Sequence, residues 1–60
     1  MAHFQVTFKD IYHGVFITHF DDFTEAQEYW NDYADAPTCE SGVMTDLDNG
    51  EIIWEFGEKF

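Results

Sequence analysis

The sequence predicts an α+β fold, a two-layer β-β-α-β-β arrangement with one helix packed on a mostly antiparallel four-stranded sheet. Three observations predict it. Asp22 to Asp35 carries one apolar stripe at helical spacing. Two strand-length stretches precede it, the first alternating and the second apolar. Two more follow it and are joined by Asn49-Gly50.

The helix has two unlike faces. Phe23, Ala26, Trp30, Tyr33 and Ala34 follow the i, i+3, i+7, i+10, i+11 pattern of a single stripe, with Tyr29 on its edge. Glu25, Glu28, Asp32 and Asp35 follow the same spacing on the other side. At about 100° per residue the acidic row is centred roughly 160–180° from the apolar one. Asp22 with Glu25, or Thr24 with Gln27, fits a capping box. Pro37 ends the helix, because the residue before a proline is pushed out of the helical region. Asp32 and Asp35 near the C-terminus oppose the helix dipole.

The first strand alternates. Ala2, Phe4, Val6 and Phe8 share one face, and His3, Gln5, Thr7 and Lys9 the other. Asp10 to Gly14 connects it to Val15–Phe20, which has Val15 and Ile17 on one face and Phe16 and Phe20 on the other. Such a strand reads as buried on both sides. One helix covers only one face, so something else is expected to cover the second. Ser41–Asp48 and Glu51–Phe56 form a hairpin about a type I′ Asn-Gly turn. That register places Val43, Thr45, Leu47, Ile52, Trp54 and Phe56 toward the core. It places Met44, Asp46, Asp48, Glu51, Ile53 and Glu55 outward, with Asp48 opposite Glu51. The strand order is left open.

Sixty residues make a single small domain, residues 1–60. A domain of this size buries only about 60% of its unfolded surface. Seven Phe, three Tyr and two Trp offset the short chain. The net charge of −11 exceeds what solubility needs in a small domain, a magnitude of about 2–8. It disfavours direct contact with nucleic acid or an anionic membrane and favours a basic protein surface as partner. No apolar run approaches membrane-spanning length. The start MAHFQVTFKD lacks a signal-peptide core, and Cys39 has no second cysteine to pair with, so a cytoplasmic setting is expected.

Chemistry finds little purchase. His3 and His19, near each other if the first two strands pair, could join Asp21 or Asp22 around a metal, but no HxxxH or CxxC spacing supports a site, and no metal or cofactor is expected. Cys39 with a histidine lacks an oxyanion hole, so catalysis is not expected. The many carboxylates look solvent-facing, whereas acid catalysis needs one shielded. Gly42, Gly50 and Gly57 are too scattered for a phosphate loop. The aromatics lack the positive groove that nucleic-acid stacking needs, with only Lys9 and Lys59 present.

What remains is the acidic surface. Glu25, Glu28, Asp32 and Asp35 step along the helix by about 4.5–6 Å, comparable to phosphates along a nucleic-acid strand. Asp46, Asp48, Glu51 and Glu55 extend the field. The expectation is a non-enzymatic protein that blocks a basic, nucleic-acid-binding surface of another protein. In size and charge, though in no motif, the chain resembles the small acidic inhibitors made by phages and mobile elements. The alternative is a homodimeric structural or regulatory module whose acidity serves solubility. An outer apolar patch of Val15, Ile17, Met44 and Ile53 is expected to pair two copies or anchor the partner.

Overall fold

The computed structural model of the chain describes residues 2–57; Lys59 lies outside the described residues. The elements run β1 (Phe4–Asp10), β2 (Gly14–Phe20), α1 (Phe23–Ala34), β3 (Cys39–Asp46) and β4 (Glu51–Gly57). The strands form one antiparallel sheet in the order β2-β1-β3-β4, and α1 packs on β1, β2 and β3 from one side. The α+β, two-layer architecture is the one expected.

The alternation in β1 sets the sheet's two faces. Val6 and Phe8 turn inward and are fully buried, as are Ala26 of α1 and Met44 of β3. Phe8 sits at the centre of a group of rings. Its centroid lies 5.2 Å from Trp30, 5.7 Å from Tyr29, 6.0 Å from Phe16 and 6.4 Å from Phe56. Burying a side chain of this kind contributes about 1.5–3 kcal/mol. Of the two capping options Asp22 is the N-cap, its carboxylate accepting the Thr24 N–H at 3.1 Å, but the reciprocal Glu25 bond of a capping box is not formed. The apolar stripe is turned slightly from its expected centre. Tyr29 packs on Phe8 and Phe20 and shares a hydrogen bond with Thr18, whereas Tyr33 is 47% exposed.

The second hairpin departs from its expected register. A type I′ turn needs positive φ at Asn49 as well as Gly50, and no residue other than glycine has positive φ among the described residues. The loop is instead the four residues Leu47–Gly50. The Gly50 N–H donates to the Asp46 carbonyl at 2.7 Å, Asp48 N–H to the Asp46 carboxylate, and Glu51 N–H to the Asn49 side chain. Asp46, not Asp48, therefore faces Glu51. A bulge at Ile53 then brings Met44 opposite Trp54. The register is shifted by two residues at the loop and by one past the bulge, and β3 side chains lie on the other face from the one expected, as a one-residue slip against Trp54 and Phe56 requires. Met44 is in the core rather than outside, and Val43 and Thr45 lie on the outer face across from Thr7 and Gln5. In β4 Trp54 and Phe56 stay inward as expected, Ile53 packs against the core instead of pointing away, and Leu47 and Ile52 are exposed instead of buried.

Gly42 explains why this register wins. It pairs with both Phe8 and Phe56. A Cβ at this position would come within 2.6 Å of the Phe56 ring and 2.7 Å of the Phe8 ring. Only a residue without a side chain fits beneath the two rings, and the expected register would put Val43 on that face. The reading of β2 as buried on both sides also fails within one chain. β2 is an edge strand, and Val15 and Ile17 are 54% and 55% exposed.

The turn between β1 and β2 is held by Asp10. Its carboxylate accepts the Tyr12 N–H at 2.7 Å, the His13 N–H at 3.2 Å and the Thr38 hydroxyl at 2.7 Å, tying the hairpin to the start of β3. These bonds, the one from Thr38 foremost, lower its pKa from 3.8 to about 2.

Two outcomes follow for the fold. Gly42→Ala should destabilise by about 1–3 kcal/mol through overpacking. Thermal unfolding should show a fall of at least about 4 °C, and an unchanged midpoint would mean that the rings move aside freely. For Asp10, a lowered pKa means that the ionised form stabilises the fold. That contribution is whole above the ordinary value of 3.8 and is lost as pH falls toward about 2. The stability gap between the wild-type chain and Asp10→Asn in urea unfolding should therefore be widest near neutral pH and narrow between about pH 4 and pH 2. A gap independent of pH would exclude this role.

Candidate functional site

The helix positions the acidic row as its spacing predicts. Glu25, Glu28, Asp32 and Asp35 are all exposed. None of their carboxylates makes an ion pair or side-chain hydrogen bond among the described residues, and the last turn of α1 carries no basic residue. Lys9 is on the outer face of the sheet, away from α1, 3.7 Å from Glu40. The row thus faces solvent, without a neighbouring cation among the described residues, at a pitch of about 1.5 Å per residue along the helix axis.

The hairpin acids are not one continuation of that row. Asp46 is half-buried and its carboxylate is used within the loop. Asp48 lies 3.0 and 3.1 Å from the ring of His3. Glu51 is exposed beside Asp46. The register places the first residue of β1 beside the last residues of β2 and β3, so these three acids lie at the end of the sheet where α1 begins. Asp21 and Asp22 enter the helix at the same end. Sequence reasoning did not count them with this field, because their nearness to the β3–β4 loop depends on strand order. Glu55 lies apart, across from Val43.

Between α1 and β4 an open groove is lined by Trp30, Trp54, Ile53 and Asp35. Trp30 and Trp54 are half-buried, with ring centroids 5.8 Å apart. This combination of aromatic surface and a neighbouring carboxylate went unrecognised in the sequence, where Trp54 and Phe56 read only as core. It is chemically suited to a cationic side chain, whose charge is attracted to a Trp face as well as to carboxylates.

The four residues of the expected outer patch do not lie together. Val15 and Ile17 are exposed, but Met44 is fully buried and Ile53 turns to the groove. Their places on the outer face are taken by Val43, half-buried, and Ile52, 57% exposed. The histidines take separate partners: His3 with Asp48, His13 with Asp10, and His19 with Gln5 at 3.0 Å. Among the described residues no three His, Cys, Asp or Glu side chains gather as a metal site would require. The Cys39 thiol donates to the Ser41 carbonyl. Burial, and then the charge of Asp10, push its pKa up, opposite to the shift that activates a thiolate nucleophile.

Among the described residues no helix is long and apolar enough to cross a membrane. Compared with models of protein families, with curated proteins and with solved structures, the chain matches none.

Proposed function

We propose that this is a non-enzymatic, cytoplasmic binding protein that covers a basic, nucleic-acid-binding surface of another protein. The observation that carries the reading is the row of four exposed carboxylates on α1 with no cation beside them among the described residues. Acids are normally interspersed with Lys or Arg on a solvated helix. Here Asp32 and Asp35 also stand where the helix dipole disfavours them, so the row costs local stability. Carboxylates at this pitch meet the lysines and arginines that would otherwise hold phosphates, which makes the chain an inhibitor by mimicry. Charge of this density speeds association and contributes part of the affinity. The groove between Trp30 and Trp54 supplies an apolar anchor, as tight binding usually requires.

The experiment is a capture from lysate at low salt, elution at high salt, and measurement with the eluted protein. Glu25→Lys, Glu28→Lys, Asp32→Lys and Asp35→Lys combined should weaken binding at least about a hundredfold, or about 2.7 kcal/mol, with native circular dichroism. Full binding by that variant removes the reading.

Calorimetry on the same pair should show affinity falling steeply between about 50 and 500 mM salt. Nucleic acid should compete for the partner. An affinity that does not move with salt would place the interface on apolar surface instead and leave the acidity to solubility.

A further inference from the structure

The two edges of the sheet are unlike. β4 is guarded: it carries Glu51 and Glu55 and is broken by the bulge at Ile53. Charges and bulges are the usual means of keeping an edge strand from pairing with another chain. β2 has neither. It pairs with β1 over seven residues in unbroken register, and from Ile11 to Phe20 the sequence contains no Asp, Glu, Lys, Arg or Pro. In a chain of net charge −11, this is a long uncharged stretch at an open edge.

The backbone of that edge is free in a regular pattern. The Leu47 N–H donates to the His3 carbonyl and the Ile11 N–H to the Thr38 carbonyl, so odd-numbered residues within β1 turn their peptide groups to β3, while just ahead of the strand the His3 N–H donates to the Phe20 carbonyl. Hydrogen-bonded pairs alternate along an antiparallel ladder. The even-numbered residues of β1 therefore turn to β2, where they meet Gly14, Phe16, Thr18 and Phe20. Val15, Ile17 and His19 are left with N–H and C=O groups pointing outward from the sheet.

The side chains around that edge are apolar on both faces. Val15 and Ile17 are 54% and 55% exposed on the outer face, and Ile11 and Tyr12 are 52% and 76% exposed at the adjoining turn. Phe16 and Phe20 are only half-buried on the helix side.

We infer that β2 pairs antiparallel with β2 of a second copy, giving a two-fold dimer with one continuous eight-stranded sheet. Charge selects this occupant. A basic partner is drawn to the acidic row and acidic end, not to an uncharged strip. Two copies of so acidic a chain meet with least repulsion where neither presents a carboxylate, and a strand paired with its own copy is isologous by construction. The join supplies hydrogen-bond partners to Val15, Ile17 and His19 and covers Phe16 and Phe20 with their counterparts. A two-fold axis normal to the sheet leaves both helices on one side. β1 and its counterpart are then three strand spacings apart, about 14 Å. That exceeds the screening length of about 8 Å at physiological salt, so the acidic rows repel weakly. The inference does not rest on the proposed function, because it concerns self-association and needs no partner.

Sedimentation equilibrium of the full chain at tens of micromolar and about 0.15 M salt should give twice the 7.1 kDa chain mass. Ile17→Pro removes only an outward N–H, a place where an edge strand accepts proline. Ile17→Lys places a charge on the edge. Both should be monomers, with Ile17→Lys retaining native circular dichroism if the proline variant does not. Ile52→Lys, on the outer face near the far edge, should remain a dimer. Amide exchange should show Val15, Ile17 and His19 protected in the dimer and unprotected in the Ile17→Lys monomer. A wild-type monomer, a dimer that survives both Ile17 variants, or a dimer lost equally in Ile52→Lys overturns edge pairing; the last would indicate two sheets stacked by their outer faces.

Discussion

The packing of the Phe8 ring over Gly42 is the constraint on which the rest of this structure depends. Phe8 lies in β1, a central strand, and touches rings from α1, β2 and β4. It occupies that place only because β3 offers no side chain beneath it. With Gly42 under Phe8 and Phe56, Met44 must turn inward across from Val6, and Val43 and Thr45 must turn out. The bulge at Ile53 then lets Trp54 and Phe56 remain in the core despite the shortened register. A close-packed interior resists small changes in volume, so one glycine decides which face of a whole strand is buried.

A small domain has little stability to spend, and this one places acids where they reduce it. Asp46 opposite Glu51 sets like charges across the ladder. Asp32 and Asp35 oppose the helix dipole. The acids that do help are few and local: Asp22 caps α1, and Asp10 gathers three donors at the turn and the start of β3. Glu25, Glu28, Asp32 and Asp35 are exposed and have no cation beside them among the described residues, so their placement is better understood through what approaches the surface than through the fold. The aromatic groove between α1 and β4 adds shape to a field that would otherwise attract any basic surface alike.

The distribution of charge and of exposed apolar groups is complementary across the molecule. Acids occupy the outer side of α1 and the end where the helix begins, whereas Ile11, Tyr12, Val15 and Ile17 lie in the stretch Ile11–Phe20, which has no Asp, Glu, Lys or Arg. In the proposed function and the inferred dimer, this separation assigns one surface to opposite charge and another to a like-charged copy. Neither role would be possible if the same residues were mixed evenly.

The sequence by itself determined the element order, the single helix and its two faces, because hydrophobic period is a local property, and it narrowed the N-cap to Asp22 or Thr24. It also determined the exposed positions of Glu25, Glu28, Asp32 and Asp35, which depend only on helical geometry. It misjudged the second hairpin because Asn49-Gly50 is compatible with more than one loop. The choice fell to side-chain bonds of Asp46 and Asn49 and to the fit of Gly42 beneath rings remote in sequence. Strand order was likewise beyond local reasoning. Only the tertiary structure could make β2 an edge, gather Asp21 and Asp22 with Asp46, Asp48 and Glu51, and open a groove between Trp30 and Trp54. Each of these depends on contacts between residues far apart in the chain, and no local pattern encodes such contacts.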